Sequence, residues 1–172
     1  LGDVYKRQLE GYPLAWDKRD IDIATSSWKT HNFNEKWEKD SWKLKLTSAG
    51  HIPGAAMLNV ETDTHKLLFT GDFDTRDSPL VSGAKPEKCD VLFVEGTYGG
   101  RDHPSKEETT QAFINRIVEV TERGGTALIP AFANGRTQDI VMTLHKHLPE
   151  LDVHVDGMGK RVAQLQICLL YT

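Results

Sequence analysis

Cysteine is nearly absent from this sequence, which has only Cys89 and Cys168 among its 172 residues. A disulfide framework and a cysteine zinc cluster both require more thiols, so neither is expected, and a reducing cytoplasm fits best. Long hydrophobic runs are also missing, which predicts that no segment crosses a membrane, and no secretory signal is visible. The chain is therefore expected to act in the cytoplasm.

An excess of positive charge is lacking as well. The net charge is −4, 38% of residues are hydrophobic and 27% are charged. This composition is typical of a soluble globular protein, and the length suits one domain or parts of two. The charge argues against a protein that coats nucleic acid over its whole surface, but it allows a nuclease with a local basic groove.

The two ends of the chain have an unusual origin. Residues 3–8 and 168–172 resemble translations of the two strands of a transposon mosaic-end adaptor used in sequencing-library preparation. We therefore interpret residues 1–8 and 168–172 as non-native and exclude them from fold reasoning. The remaining residues, 9–167, are expected to be an internal piece of a longer protein.

The middle of the chain has the patterns of β-strands. Trp42–Thr47 alternates apolar and polar residues, which is typical of a half-buried strand. Ala55–Thr62 and His65–Thr70 flank a tight turn at Asp63-Thr64 and predict an antiparallel hairpin. The continuous apolar run Asp90–Val94 predicts a strand that is covered on both faces.

Helices and strands are predicted to alternate after that run. Ser105 and Glu108 form a capping box that begins a helix ending at a pair of glycines. Thr126–Phe132 and Leu151–Val155 are predicted strands, and Arg136–Leu148 between them is an amphipathic helix. This half is therefore expected to form a parallel α/β sheet.

Two stretches are less regular. Residues 9–40 show no clear period, and a short helix near Asp20–Ser27 is the element predicted there. Arg76–Lys88 is rich in proline, serine and glycine and is predicted to be a loop. The change to alternating helices and strands near Gly100–Ser105 is the predicted domain boundary.

Three strand ends each deliver one side chain that could bind a metal or a proton. His51 lies in a corner rich in glycine and proline, and ligand and structural histidine are equally good interpretations of it. Asp72 follows Gly71 and could be a ligand or ordinary turn chemistry. Glu95 is the better functional candidate, because a carboxylate at the end of an apolar strand must find a partner. The other six histidines are better explained by packing or solvation.

Taken together, these motifs are more specific than any one residue. The ordered set of Ala49-Gly50-His51, Thr70–Phe73, Glu95–Gly99, Leu128–Arg136 and Val155–Met158 resembles the β-CASP family of metallo-β-lactamase-fold nucleases. The resemblance is to archaeal homologues of the polyadenylation cleavage endonuclease and, more distantly, to RNase J. It covers roughly His51 to Arg161. Gly96 and Asn134 depart from the family pattern in loops, and the His-x-His-x-Asp-His metal motif is absent from the sequence.

The resemblance implies a fold and a domain organisation. The expected class is α/β, with the C-terminal part of a metallo-β-lactamase αββα sandwich followed by the first βαβ units of a β-CASP domain. Residues 9–103 would be the partial metallo-β-lactamase domain, and residues 104–167 the start of the β-CASP domain.

The resemblance also implies roles for residues. His51 would ligate one Zn²⁺, and Asp72 would bridge the two Zn²⁺ ions of the full-length family member. Such a pair of metals clamps a phosphodiester and lowers the pKa of bound water to about 7. Glu95 would orient a histidine supplied from further along the chain. Arg136 and His103 are possible phosphate or RNA contacts, with solvation and a loop contact as their alternatives.

The implied activity is zinc-dependent cleavage of RNA phosphodiester bonds by the full-length protein. The partner would be single-stranded RNA, with a homodimer or an RNA-processing complex as a possible assembly. Two alternatives are a DNA-processing nuclease of the same superfamily and a non-catalytic RNA-binding or scaffold subunit. Because most metal ligands are missing from the sequence, negligible nuclease activity is expected of this chain alone.

Overall fold

The computed structural model describes residues 16–170. The adaptor assignment of residues 1–8 and of the last two residues therefore lies outside the described residues. The described chain falls into two units, residues 16–32 and residues from Phe33 onward.

The first unit contains helix α1, Lys18–Ser26, close to the predicted position. Its start is fixed by a reciprocal capping box. The Asp20 N–H donates to Asp17 Oδ1 over 3.0 Å, and the Asp17 N–H donates to Asp20 Oδ2 over 2.9 Å. These bonds satisfy two N–H groups that a helix start leaves without intrahelical partners.

The second unit is built on a mixed sheet of five strands in its described part, with spatial order β1-β2-β3-β4-β5. The first four strands are antiparallel neighbours, and β5 runs parallel to β4. The strands are β1 Lys36–Lys39, β2 Trp42–Ser48, β3 Ala56–Glu61, β4 Lys66–Phe69 and β5 Val91–Phe93.

The strand register separates two faces of this sheet. Met57 and Leu68 are fully buried on one of them, where they pack with Ala49 and Ala84; we call this the covered face. The opposite side, the apolar face, carries hydrophobic residues in matching rows, and Phe69 stacks on its neighbour Phe93 at 4.4 Å between ring centroids. Its members are Leu44, Leu46, Leu58, Val60, Leu67, Phe69, Val91 and Phe93.

Three helices follow the sheet: α2 Lys106–Glu122, α3 Arg136–His147 and α4 Met158–Leu170. Helix α2 begins as predicted, with Ser105 accepting from the Glu108 N–H over 3.1 Å. Ile114 and Ile117 of α2 pack with Leu144 of α3 in a second buried core. The amphipathic spacing of both helices directs their apolar residues into this contact.

The hairpin of β3 and β4 is confirmed, and so is the loop between β4 and β5. Strand β1 was not predicted. Its four residues, Lys-Trp-Glu-Lys, are mostly exposed and too polar to show a hydrophobic period. It forms because the neighbouring edge of β2 supplies ladder hydrogen bonds, which no local pattern reveals.

The prediction that Asp90–Val94 is covered on both faces is wrong. All three residues of β5 are exposed, and Val94 beside them is 53% exposed. Within the described chain β5 pairs on one side only, so it is an edge strand.

The predicted strands at Thr126–Phe132 and Leu151–Val155 are not formed either. Leu128 is 94% exposed and Phe132 is 82% exposed. A strand requires a neighbour for its backbone hydrogen bonds, and residues 16–170 supply none to these two segments. The expected parallel sheet of the second half is therefore absent from the described residues, although the class remains α/β.

None of the helices found between residues 16 and 170 has the length and apolarity that a membrane span requires.

Candidate active site

Three loops leave the sheet at the same edge. Strands β2 and β4 are both antiparallel to β3, and β5 is parallel to β4, so β2, β4 and β5 all run in one direction. Their carboxyl ends therefore share one edge, and the loops that follow carry His51, Asp72 and Glu95. The structure places the three candidate residues there.

Glu95 ties the loop of Asp72 to the end of β5. The Phe73 N–H donates to Glu95 Oε1 over a long 3.5 Å, and the Thr97 N–H donates to Oε2 over 3.0 Å. The Glu95 N–H donates to the hydroxyl of Thr70, which is 2% exposed. The carboxylate is thereby bound to the backbone of Phe73, the residue after Asp72.

These contacts lower the pKa of the Glu95 carboxyl from its ordinary value of 4.5. Hydrogen bonding by the Thr97 side chain is the largest cause, followed by the Thr97 backbone N–H. Desolvation opposes the shift, and the Phe73 N–H and the positive charge of His51 add to it.

Removal of the Thr97 hydroxyl is expected to raise the pKa of Glu95 toward its ordinary value. In the native protein this pKa lies below the unfolded value, so the stability it contributes is present above about pH 4.5 and is lost as pH falls through the folded pKa. NMR titration of the Glu95 carboxyl in the native protein and in Thr97→Ala measures the shift. Thr64→Ala, in the hairpin turn, is the control and should leave the titration unchanged. An identical Glu95 pKa in Thr97→Ala and the native protein would contradict the assignment.

The corner that carries His51 is fixed by backbone contacts. The Asp74 N–H donates to the Ala49 carbonyl over 3.0 Å, and the Ala84 N–H donates to the Asp74 carbonyl over 2.7 Å. Gly50 is buried with φ of +65°, and a Cβ there would lie 2.4 Å from Asp74 O and from Ala84 N. Only glycine fits where these backbone segments cross.

The second half of the protein reaches the same corner. Gly135, just before α3, approaches Ile52 so closely that a Cβ on it would lie 2.5 Å from the Ile52 Cγ2. The buried Gln138 holds this turn: the Gly135 N–H donates to its Oε1 over 2.8 Å, and its Nε2 donates to the Ala133 carbonyl over 3.0 Å. The Gly135 turn therefore packs beside His51.

The other two candidates, His103 and Arg136, have different partners. His103 is exposed, and its ring meets Tyr98 edge-on at 4.6 Å. Arg136 is exposed and lies 3.7 Å from Asp139. Among residues 16–170, no hydrogen bond or ion pair joins His103 or Arg136 to the other candidates.

The sequence reasoning missed Asp74 and Arg76. Arg76 donates to both oxygens of Asp74, from Nε over 3.0 Å and from Nη2 over 2.9 Å. This hydrogen bonding is the main cause that lowers the pKa of Asp74. The Asp-Thr-Arg spacing was a weak signal for the pair, which stiffens the loop after Asp72.

The donor atoms fit part of a metal site. His51 is partly buried and Asp72 is exposed, and imidazole nitrogen with carboxylate oxygen is a donor set that zinc accepts. In the described part of the chain, no group of three or more His, Cys, Asp or Glu residues is placed to hold a metal ion. The residues present thus fit two ligands, and a complete site requires others.

The chain is similar in sequence to several proteins of known name. The chain is 34% identical over 173 residues to "Probable RNase MJ4" of Methanocaldococcus jannaschii, covering 97% of this chain and 40% of that protein. It is 35% identical over 136 residues to "Cleavage and polyadenylation specificity factor subunit 3" of Dictyostelium discoideum, covering 78% and 18%. It is 30% identical over 151 residues to "Ribonuclease TTHA0252" of Thermus thermophilus, covering 85% and 35%.

No model of a known protein family matches the chain. The chain spans less than half the length of each of these three relatives.

Proposed function

The chain belongs to the β-CASP family of metallo-β-lactamase-fold nucleases, and from this premise we propose that it forms part of a metal-dependent ribonuclease. The observation that carries the proposal is the convergence of three loops at one sheet edge. There the Glu95 carboxylate accepts a hydrogen bond from the Phe73 N–H in the loop of Asp72, and the loop of His51 leaves the same edge. Relatives named as ribonucleases align over most of the chain, which supports RNA as the substrate.

The proposed domain organisation has a partial metallo-β-lactamase domain at 9–103 and the start of a β-CASP domain at 104–167. The apolar face supports it. Phe93 on that face is 50% exposed and Phe69 is 36% exposed, whereas Met57 and Leu68 on the covered face are fully buried. A sheet of this kind is stabilised when a second sheet packs on it, as in a sandwich.

His51 and Asp72 are the residues of this chain that would hold Zn²⁺, two ions being the proposed number. When bound, such ions polarise the phosphodiester and lower the pKa of a water molecule to about 7. His51 is partly exposed and Asp72 is exposed, which leaves both donor groups accessible.

Glu95 has a different proposed role. Its lowered pKa keeps the carboxylate ionised, and its Oε atoms point at backbone N–H groups of two loops. An ionised carboxylate in this position can accept a ring N–H and hold an imidazole in one tautomer, which suits the orienting of a general acid. His103 and Arg136 are proposed to contact RNA phosphate outside this group.

A longer protein that contains residues 9–167 should cleave labelled single-stranded RNA. Cleavage should stop on addition of a chelator and return with Zn²⁺, while DNA of the same sequence should be cut far more slowly. The 172-residue chain alone serves as a control and should show negligible cleavage. Faster cutting of DNA would favour a DNA-processing nuclease, and RNA binding without cleavage would favour a non-catalytic subunit.

Assembly and location are further parts of the proposal. A relative named as a polyadenylation factor subunit supports action within an RNA-processing complex, with a homodimer as the other arrangement. The scarcity of cysteine supports a cytoplasmic location.

A further inference from the structure

A groove of about 410 Å³ lies on the covered face of the sheet, at the end opposite the candidate active site. The loop just before β5 forms its second wall. Five lysines line it: Lys36, Lys43, Lys45, Lys66 and Lys88.

The lysines of this groove exceed the acids that neutralise them. Lys43 lies 3.5 Å from Glu61, and Lys45 lies 2.5 Å from Glu87. Of the described residues that line the groove, Glu61 and Glu87 alone are acidic. Among the described residues, Lys36, Lys66 and Lys88 form no ion pair, although Glu61 is opposite Lys66 and the Lys66 N–H donates to Asp90 Oδ2 over 2.7 Å. The five lysines still outnumber the two glutamates of the lining, on a protein of net charge −4.

The strand register shows where the positive charge is compensated and where it is not. In one row across the sheet, Glu38, Lys43, Glu61 and Lys66 alternate in sign. In the next row, Lys36 is directly opposite Lys45. Like charges in this position destabilise a sheet, and a bound anion would relieve the repulsion.

The groove is remote from the candidate active site. The loop of His51 follows Ser48 at the end of β2, so about 17 Å of strand separates it from Lys43 and about 10 Å from Lys45. The groove is therefore a separate surface, and it is not an extension of the metal ligands.

We propose that this groove binds the phosphate backbone of single-stranded RNA, which rests on the proposed function. Lysine ammonium groups bind phosphates as point charges and read no sequence. Leu44, Val60, Leu67 and Cys89 also line the groove, but alternation places the first three side chains on the apolar face, so charged side chains dominate the lining. A lining of this kind suits a phosphate backbone better than the apolar and aromatic anchors of a protein partner. None of the described residues in the groove lining is aromatic, so they offer no base stacking and the contact is independent of base identity.

Fluorescence anisotropy of a labelled single-stranded RNA against the 172-residue chain tests the proposal. The groove variant combines Lys36→Ala, Lys66→Ala and Lys88→Ala. The control variant removes the same charge from exposed helix positions, by Lys18→Ala, Lys146→Ala and Lys160→Ala. Because Lys36→Ala removes like-charge repulsion, the groove variant should keep its denaturation midpoint.

The groove variant should bind RNA at least about tenfold more weakly at low salt, and its slope of log affinity against log salt should fall by about 2, since each phosphate contact contributes about 0.7. The control variant should stay within about twofold of the native chain. Equal losses in the two variants, or no detectable binding by the native chain, would overturn the proposal. So would a poly-glutamate peptide that binds the groove as tightly as RNA.

The outcome is distinguishable from that of the ribonuclease proposal. If the longer protein fails to cleave RNA while the groove lysines still control binding, the groove stands and the ribonuclease proposal falls. If the longer protein cleaves RNA but the groove variant binds RNA as tightly as the native chain, the ribonuclease proposal stands and the groove proposal falls.

Discussion

Gly50→Ala is expected to destabilise the protein by about 3 kcal/mol or more, from the sum of backbone strain and overpacking. Gly50 has φ of +65°, a conformation that alanine adopts at a cost. The added Cβ would also lie 2.4 Å from Asp74 O and Ala84 N, which are joined by a hydrogen bond of 2.7 Å. Because both neighbours are backbone atoms, the clash can be relieved only by moving the loop that supports His51.

Gly54→Ala is the matched control. Gly54 lies in the same corner with φ of +85°, but nothing is within 4 Å of the position where its Cβ would be. Backbone strain alone should therefore destabilise Gly54→Ala, by about 1–2 kcal/mol. Urea denaturation of both variants measures the difference. Similar losses in the two would show that the crossing at Gly50 is not tightly packed.

The elements that were predicted correctly are those whose signal is local. The hairpin around Asp63-Thr64 combines alternating residues with a turn, and α2 combines a capping box with an apolar stripe. Each of these needs only its own residues and a surface to pack on.

The errors have one physical cause. Thr126–Phe132 has the composition of a strand, but a strand is completed by a neighbour that its own sequence does not specify. Strand β1 shows the opposite case, in which a polar segment is recruited by the edge of β2. The prediction that β5 is buried was wrong for the same reason, because the burial of a strand depends on what covers the sheet.

The candidate site was predictable in part. Strand ends and glycines identified His51, Asp72 and Glu95 as candidates, and the parallel direction of β2, β4 and β5 brings their loops to one edge. The contacts that hold the site could not be predicted. The approach of Gly135 to Ile52 joins residues that are more than 80 positions apart, and no local pattern encodes it. The prediction of ribonuclease function rested on the family resemblance and not on the spacing of residues.

Cleavage of single-stranded RNA by a longer protein that contains this chain, with Asp72→Asn, is the most direct test of the proposed site. Asparagine keeps the size of the side chain but removes the charge that a metal ligand needs, so the rate should fall about 10³-fold, corresponding to several kcal/mol of lost metal catalysis. Asp63→Asn, in the exposed hairpin turn, is the control and should cleave at nearly the native rate. If Asp72→Asn cleaves RNA as fast as Asp63→Asn, the sheet edge described here is not the metal site of this protein.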